Sequence, residues 1–281
     1  MNAFSRSWYI TKLSFRVIGK DKEMLLFPLL GGIFSILFLL AMVFPTIIFS
    51  FTQGDALQIF DYVIMFLTYL GLAFIATFFN TCVVYTTKKR FEGGDATFKE
   101  SLRFGISRIH LIFAWSLVSA IVGVLLRVLE NIASRMGGAG KIIFSILISL
   151  LGAAWSIITI FVVPAMVYKE VTPFAAIKES INTLKKTWGE SLIRYYGLGL
   201  VQMLFIVLGV LVGIGLTIGL AITGIVGIIA GILITVIYII AVVLIFNVAN
   251  QVFNTALYYY ATTGKVPQGF DDTVKHAFQK Q

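Results

Sequence analysis

Five amide side chains lie in long apolar segments of this chain, where hydrogen-bonding groups are candidates for a functional site. Asn247, Asn250 and Asn254 are spaced by three and four residues, which places them on one face of a helix, and Gln251 is adjacent. Asn80 stands at a similar depth in an earlier apolar segment. Amides in hydrocarbon must find hydrogen-bond partners, either on neighbouring helices or in a water-filled inner mouth. We favour interhelical hydrogen bonds over a polar ring that lines a vestibule.

Three charged residues form a second candidate cluster, near the opposite ends of the apolar segments. Arg127 and Glu130 are three residues apart, so they can form an ion pair on one helix face. Asp61 lies near the same end of an earlier segment. We favour an ion pair at the membrane interface over a proton or ion relay.

The residue patterns that catalysis or metal binding requires are missing. No Walker loop, dinucleotide fingerprint, zinc motif or nucleophile elbow occurs in the chain. His110 and His276 stand alone, and Cys82 is the single cysteine, which excludes an internal disulfide and a cysteine-built metal site. We therefore expect neither an enzyme nor a bound cofactor or metal ion.

The elements that position these residues are membrane spans. The 70 residues between Arg194 and Lys265 contain no Asp, Glu, Lys or Arg, a composition that suits lipid-facing helices and not a soluble domain. Because about 20 apolar residues cross a bilayer, this stretch holds two spans. The sequence predicts an all-α integral membrane protein with six spans, at about residues 25–51, 57–87, 110–133, 142–168, 192–221 and 226–261.

Positive charge predicts the orientation of these spans. Of the 22 Lys and Arg residues, 19 lie in the N-terminal segment, in the two loops after spans 2 and 4, and in the tail. The other three, in the opposite loops, are Arg127, Arg135 and Lys141. The positive-inside rule therefore places both termini in the cytoplasm of a multi-pass cell-membrane protein. Because the charge follows the inner rim, we expect no nucleic-acid binding.

Short motifs recur ahead of the odd-numbered spans. Lys99-Glu100-Ser101 returns as Lys178-Glu179-Ser180, and Lys12-Leu13-Ser14 has the same form. Phe79-Asn80-Thr81 in span 2 returns as Phe253-Asn254-Thr255 in span 6. Their shared spacing to the spans predicts one membrane domain in which an amphipathic helix and a two-span hairpin repeat three times. The units are about 1–94, 95–172 and 173–264, and an amphipathic segment follows at 265–281.

Each unit begins with an amphipathic helix. In the third unit the spacings 3, 4, 3 and 4 place apolar residues on one face: Phe174, Ile177, Ile181, Leu184 and Trp188. We favour helices at the cytoplasmic interface, with their apolar faces in acyl chains and their basic residues on anionic headgroups, over helices that line a central gate. The headgroup candidates are Lys99, Arg103, Lys178, Lys185 and Lys186.

Glycine and proline predict the local packing of the later spans. Gly209 and Gly213 are four residues apart in span 5, and Gly227 and Gly231 open span 6. Such spacing favours close helix packing, either within this hairpin or between subunits of a homo-oligomer. Pro164 removes a backbone hydrogen bond from span 4 and should kink that helix.

A family resemblance rests on three stretches of the chain. They are Val163-Pro164-Ala165-Met166-Val167-Tyr168-Lys169-Glu170, then Pro173-Phe174-Ala175-Ala176-Ile177-Lys178-Glu179-Ser180 with Trp188-Gly189, and the run from Arg6-Ser7-Trp8 to Phe27-Pro28. Over most of its length the chain resembles an uncharacterised family of six-span prokaryotic integral membrane proteins. It is distantly similar to the membrane domain of glycerophosphodiester phosphodiesterases. The resemblance implies a membrane fold and supplies no functional residues, since the phosphodiesterase catalytic domain is not in this chain.

Two classes of function fit these observations. The first is a channel or transporter for a small solute or ion, whose inner mouth the five amides would line. The second is a non-transporting membrane organiser that binds anionic membrane lipids or partner proteins through its amphipathic helices. We favour transport, because an internal repeat accompanies polar residues gathered at one depth.

Overall fold

A computed structural model of the protein describes residues 3–52, 58–188 and 197–270, and all regular structure within these ranges is helical. Ten α-helices lie in the described ranges, with short 3₁₀ helices at Lys22–Leu25 and Ala221–Thr223. The α-helices are α1 (Ala3–Lys20), α2 (Leu26–Thr52), α3 (Gln58–Phe91), α4 (Phe98–Ser107), α5 (Ile109–Ser134), α6 (Gly138–Ile158), α7 (Val162–Lys169), α8 (Pro173–Trp188), α9 (Gly197–Leu220) and α10 (Ile225–Thr263). Most of the amphipathic segment predicted at 265–281 lies outside the described residues.

Six stretches are long and apolar enough to cross a membrane, so the predicted all-helical six-span protein is confirmed. They are Lys22–Phe44, Tyr62–Phe91, Ile109–Ser134, Gly138–Lys169, Leu198–Thr223 and Ile225–Thr263. The helix α10 has 39 residues. At about 1.5 Å per residue it is far longer than the roughly 30 Å hydrocarbon core, so one end extends beyond the membrane.

The compact part of the protein lies at one end of the spans. We call this end the basic end, because the Lys and Arg residues of α1, α4 and α8 lie there. At this end α3, α7 and α10, which belong to the three even-numbered spans, contact one another. Their side chains in this apolar cluster are among the most buried in the described chain: Val83, Val162, Ala165, Val252 and Ala256. The basic end is therefore a closed apolar core.

Away from the basic end the helices form hairpins whose outward faces are exposed. The pairs are α2 with α3, α5 with α6, and α9 with α10, and α5 also packs along α3. Among the described residues, α9 makes its extensive contacts with α10, α1 and the Ala221–Thr223 turn. Its side chains include Leu211, Val212 and Ile218, each more than half exposed. Apolar residues of this kind suit contact with acyl chains.

The amphipathic helix α1 does not lie with its apolar face in lipid, which corrects the interfacial arrangement that we favoured. Leu13 and Val17 are 0% and 1% exposed, because α1 packs its apolar side on α9 and α10. The ring of Phe15 meets the edge of Phe246 at a centroid distance of 5.6 Å. Burial inside the protein removes as much apolar surface from water as burial in acyl chains would.

The helix α4 is joined to the preceding span through hydroxyl groups. It begins after Thr97, whose hydroxyl accepts the Glu100 N–H while the Glu100 carboxylate accepts the Thr97 N–H, a capping box. One turn further, Ser101 is fully buried and its hydroxyl lies 2.7 Å from that of Thr86 in α3. A polar pair thus fixes α4 against α3.

The predicted apolar face of α8 is only partly correct. Phe174 is 75% exposed and Ile177 is half-buried, whereas the fully buried positions are Ala176 and Ser180. These small side chains allow the backbone of α8 to approach α7 closely, and a large apolar residue would hold the helices apart. The helix is therefore rotated from the orientation that its apolar spacing predicts. Leu184 is buried as predicted, and the side chain of Trp188 lies outside the described residues.

Span 4, which we expect to kink at Pro164, is broken just before that residue, between α6 and α7. Pro164 has no N–H to donate to the carbonyl four residues earlier, so the helix cannot continue regularly. Ser180 of α8 supplies part of the lost bonding. Its hydroxyl donates to the Ile158 carbonyl at 2.5 Å and accepts the Phe161 N–H at 3.2 Å.

The glycines of the last hairpin pack against residues of the partner helix. A Cβ atom on Gly209 would overlap the ring of Tyr238, and one on Gly213 would overlap Thr235. In contrast, Gly215 faces open space. The close approach of α9 and α10 therefore depends on particular glycines, as their spacing predicts for packing within the hairpin.

Candidate functional site at the basic end

Ion pairs join the chain segments at the basic end. The Arg90 Nε donates to Asp21 Oδ2 at 2.6 Å, and the Arg90 Nη2 lies 2.8 Å from Asp95 Oδ1. Glu23 accepts the Phe98 N–H at 2.8 Å, which satisfies a free donor at the start of α4. The turn between α1 and α2 is thus tied to the end of α3 and the start of α4.

A second pair of contacts fixes the turn between α7 and α8. Arg108, at the start of α5, forms an ion pair with Glu170, and the Lys169 Nζ lies 2.5 Å from Glu179 Oε1. Glu170 ends α7 with a φ of 55°, in the left-handed region that glycine usually occupies. The ion pair with Arg108 holds Glu170 at this turn.

Other cations at the basic end point away from the protein. All five predicted headgroup candidates are exposed, and none forms an ion pair with another described residue. Lys99 and Arg103 lie on α4, and Lys178, Lys185 and Lys186 lie on α8. Because the helices that carry them are packed into the protein, the points from which these side chains extend are fixed relative to one another. These cations can attract anionic groups over roughly a Debye length.

An aromatic cluster fills the junction of the three even-numbered spans. Tyr168 of α7 lies 5.4 Å from Tyr258 of α10, centroid to centroid, and the Lys88 ammonium of α3 lies 4.9 Å from the Tyr168 ring. Phe91 lies 6.0 Å from Tyr259. The phenol oxygens of Tyr168 and Tyr258 are buried without a hydrogen-bond partner among the described residues.

The residue pattern alone does not predict that these aromatic residues form one cluster. The usable signal was that each even-numbered span ends on an aromatic residue: Phe91, Tyr168 and Tyr258 to Tyr260. Such residues commonly mark a membrane interface, so their packing against each other is visible only in the folded protein.

Four of the five amides share the predicted face. Asn247 is exposed, and Asn250, Gln251 and Asn254 are half-buried along the same side of α10. Asn80 lies half-buried on α3, which contacts α10. None of these side chains hydrogen-bonds another described residue, so the interhelical amide bonds that we favoured are not formed in the described part of the chain. The reason is that the amides lie on a side of α10 that its helix neighbours leave partly uncovered.

The charged cluster at the opposite end forms one ion pair. The Arg127 Nη1 lies 3.0 Å from Glu130 Oε2, and both side chains are about half exposed. Asp61 lies in the first turns of α3, but its side chain is outside the described residues. An exposed pair of this kind contributes little to stability.

Metal ligands do not converge in the described chain. No group of three His, Cys, Asp or Glu residues within the described ranges could hold a metal ion. Cys82 is a buried free cysteine beside Gly105 of α4. Its surroundings are apolar, and a buried thiol in such a site packs as a small hydrophobe.

The fold defines the protein as a polytopic all-helical membrane protein with a compact basic end. A comparison with protein families gives a more particular assignment: residues 59–270 match the model of DUF6159, a family of unknown function. The chain belongs to this family. No curated protein matches the chain. The distant similarity to the membrane domain of glycerophosphodiester phosphodiesterases stays a prediction.

Proposed function

We propose that this protein is a non-enzymatic, non-transporting membrane organiser whose basic end binds the anionic headgroups of membrane lipids. The proposal reverses our preference for transport. The observation that carries it is the closed core at the basic end, where α3, α7 and α10 meet through buried apolar side chains. An open channel would need a polar route past such a junction.

The exposed cations supply the binding chemistry. Each Lys or Arg near an anionic surface contributes about 1 kcal/mol of attraction. Because α4 and α8 are held by the buried hydroxyls of Ser101 and Ser180, the points from which their cations extend are already fixed when a lipid arrives. Charges on a helix of fixed position avoid the cost of ordering the backbone, which charges on a mobile segment would lose on binding.

A threefold repeat is part of this proposal. The three serines at the same place in the recurring motif, Ser14, Ser101 and Ser180, are each fully buried. Ser101 and Ser180 bond the span that precedes their helix, and Ser14 lies on α1, which packs on the final span. This pattern supports three equivalent units, 1–94, 95–172 and 173–264, arranged in a ring. A homo-oligomer stays a prediction.

Lipid retention tests the proposal. The full chain, purified in detergent, is mixed with phosphatidylglycerol and phosphatidylcholine, and the bound lipids are counted by native mass spectrometry. Lys178→Gln with Lys185→Gln should lower the preference for phosphatidylglycerol by up to about thirtyfold, at about 1 kcal/mol per cation. The matched control removes two cations at the opposite end, Arg135→Gln with Lys141→Gln, and should change the preference less. Equal retention by the wild type and the α8 variant would contradict the proposal.

Transport remains the second candidate because one observation favours it. The amides of α10 and Asn80 have no hydrogen-bond partner among the described residues, and a solute path would satisfy them. Asn80→Ala with Asn250→Ala should then alter solute or ion flux into proteoliposomes without loss of folded protein. Measurable wild-type flux that falls in this variant would favour transport over the organiser. An absence of wild-type flux, or a flux that is unchanged in the variant, would exclude a transport role for these amides.

A further inference from the structure

One side of α10 carries a continuous row of side chains at spacings of three and four residues. The outer part of the row is apolar and exposed; we call it the apolar stripe: Ile229, Leu233, Val236, Ile240 and Val243. The row continues as the amide stripe: Asn247, Asn250, Gln251 and Asn254. Gly231, which packs on α9, lies roughly 160° round the helix from Asn247, at about 100° per residue. The row therefore faces away from the hairpin partner.

The amide stripe is a set of hydrogen-bonding groups that the described chain leaves unused. Each amide offers two donors and one acceptor oxygen. An unmade hydrogen bond in a dry site is costly, so these groups must bond water or a ligand. Tyr258 ends the row, because its ring is buried between Phe161 and Tyr168.

The chemistry of the row matches one membrane glycerolipid. No residue of either stripe is charged, so the amides suit uncharged acceptors and donors, such as the ester carbonyls and glycerol region of a lipid. The apolar stripe runs from Ile229 to Val243, a rise of about 21 Å along the helix, which exceeds the roughly 15 Å depth of one leaflet. An acyl chain can therefore lie along the apolar stripe while its ester group reaches Asn247.

We propose that the amide stripe binds the ester and glycerol groups of one membrane glycerolipid, whose acyl chain lies along the apolar stripe. This site is separate from the exposed lysines of α4 and α8 and does not depend on the charge of the headgroup. The amide N–H groups donate to the ester carbonyls. Ether-linked lipids lack those carbonyls, so they lose these hydrogen bonds while keeping the same chains and headgroup.

The test compares two zwitterionic lipids that differ only in their linkage. The purified full chain is titrated with a phosphatidylcholine that has two ester-linked oleoyl chains, and separately with its ether-linked analogue. Native mass spectrometry measures the dissociation constant of the lipid that binds most tightly. The wild type should prefer the ester lipid by about tenfold, the effect of one or two hydrogen bonds. Asn247→Leu with Asn250→Leu and Asn254→Leu should bind both lipids equally.

Two controls make the outcome specific. Ser145→Ala with Ser149→Ala changes exposed polar residues on the lipid-facing helix α6 and should leave the ester preference unchanged. Asn247→Leu alone, at the exposed end of the stripe, should reduce the preference if the triple variant does not fold. The lysine variants of α8 should also keep the preference, which separates this proposal from headgroup binding. Equal affinity of the wild type for the two lipids would overturn the proposal, as would a preference that survives in the Asn variants.

Discussion

Ser180 shows how one hydroxyl can determine the course of a span. It is fully buried, and it bonds both the carbonyl that ends α6 and the N–H of Phe161 before α7 begins. The break itself follows from Pro164, whose place in an apolar span predicts a kink. The partner of the broken backbone did not follow from the sequence, because serine at a helix surface usually faces water.

Removing the Ser180 hydroxyl should destabilise the protein. Ser180→Ala leaves the Ile158 carbonyl and the Phe161 N–H without this partner, which should cost about 1–3 kcal/mol. Thermal unfolding of the purified protein in detergent measures the effect as a lower Tm. Ser107→Ala is the matched control, because Ser107 is exposed and bonds only the carbonyl three residues earlier. Equal Tm values for the two variants would show that Ser180 does not hold the break.

Single residues were predictable where the interaction is local. Arg127 and Glu130 form the ion pair that their three-residue spacing predicts. Likewise, Asn247, Asn250 and Asn254 share the helix face that their spacing predicts. Their hydrogen bonding was not predictable, because it depends on which side of α10 the other helices cover. The partners of Arg90 lie in distant segments and likewise required the folded protein.

At the scale of elements, the bounds of the membrane spans were predictable to within a few residues. The face that each helix buries was not always predictable. A span needs only length and apolar composition, both of which the sequence contains. The face that a helix buries depends also on how closely it can approach its neighbour. For α8 the small residues Ala176 and Ser180 decided this, against the apolar spacing that includes Phe174.

The hairpin of α9 and α10 should tolerate alanine at one glycine and not at another. Gly213→Ala places a methyl group against Thr235 and should destabilise the protein by about 1–3 kcal/mol. Gly215→Ala adds a methyl group in open space and should be neutral or stabilising by up to about 1 kcal/mol, since alanine favours helix. Chemical or thermal unfolding of the two variants in detergent measures the difference. A Gly213→Ala protein as stable as the Gly215→Ala protein would contradict the packing of this hairpin.

At the scale of the whole molecule, the protein combines a compact basic end with spans whose sides are bare. The charge pattern predicts that this end lies in the cytoplasm with both termini. Composition could predict the six spans, because the membrane imposes their length and their apolar character. It could not predict that α1 would be buried against the last hairpin, since a basic amphipathic helix is equally suited to a lipid surface.

Thiol labelling in intact cells tests the orientation. In a Cys82→Ala background, Lys141→Cys should react with a membrane-impermeant maleimide added outside, because the exposed start of α6, which holds Lys141, is expected there. Lys12→Cys, on an exposed position of α1, should react only after the cells are lysed. The opposite labelling pattern would reverse the topology and place the basic end outside.

The measurement that tests the central claim most directly is the water accessibility of the junction between the even-numbered spans. Val83 is 1% exposed on α3 and belongs to the same buried apolar cluster as Val162 of α7 and Val252 of α10. Val83→Cys in a Cys82→Ala background, reconstituted in lipid nanodiscs, is treated with a small water-soluble thiol reagent, and Lys12→Cys, at an exposed position of α1, serves as the control. A closed core predicts that the thiol at position 83 stays unlabelled until the protein is denatured, while the thiol at position 12 reacts. Rapid labelling at position 83 in the folded protein would reveal a hydrated path through the basic end and contradict the organiser account.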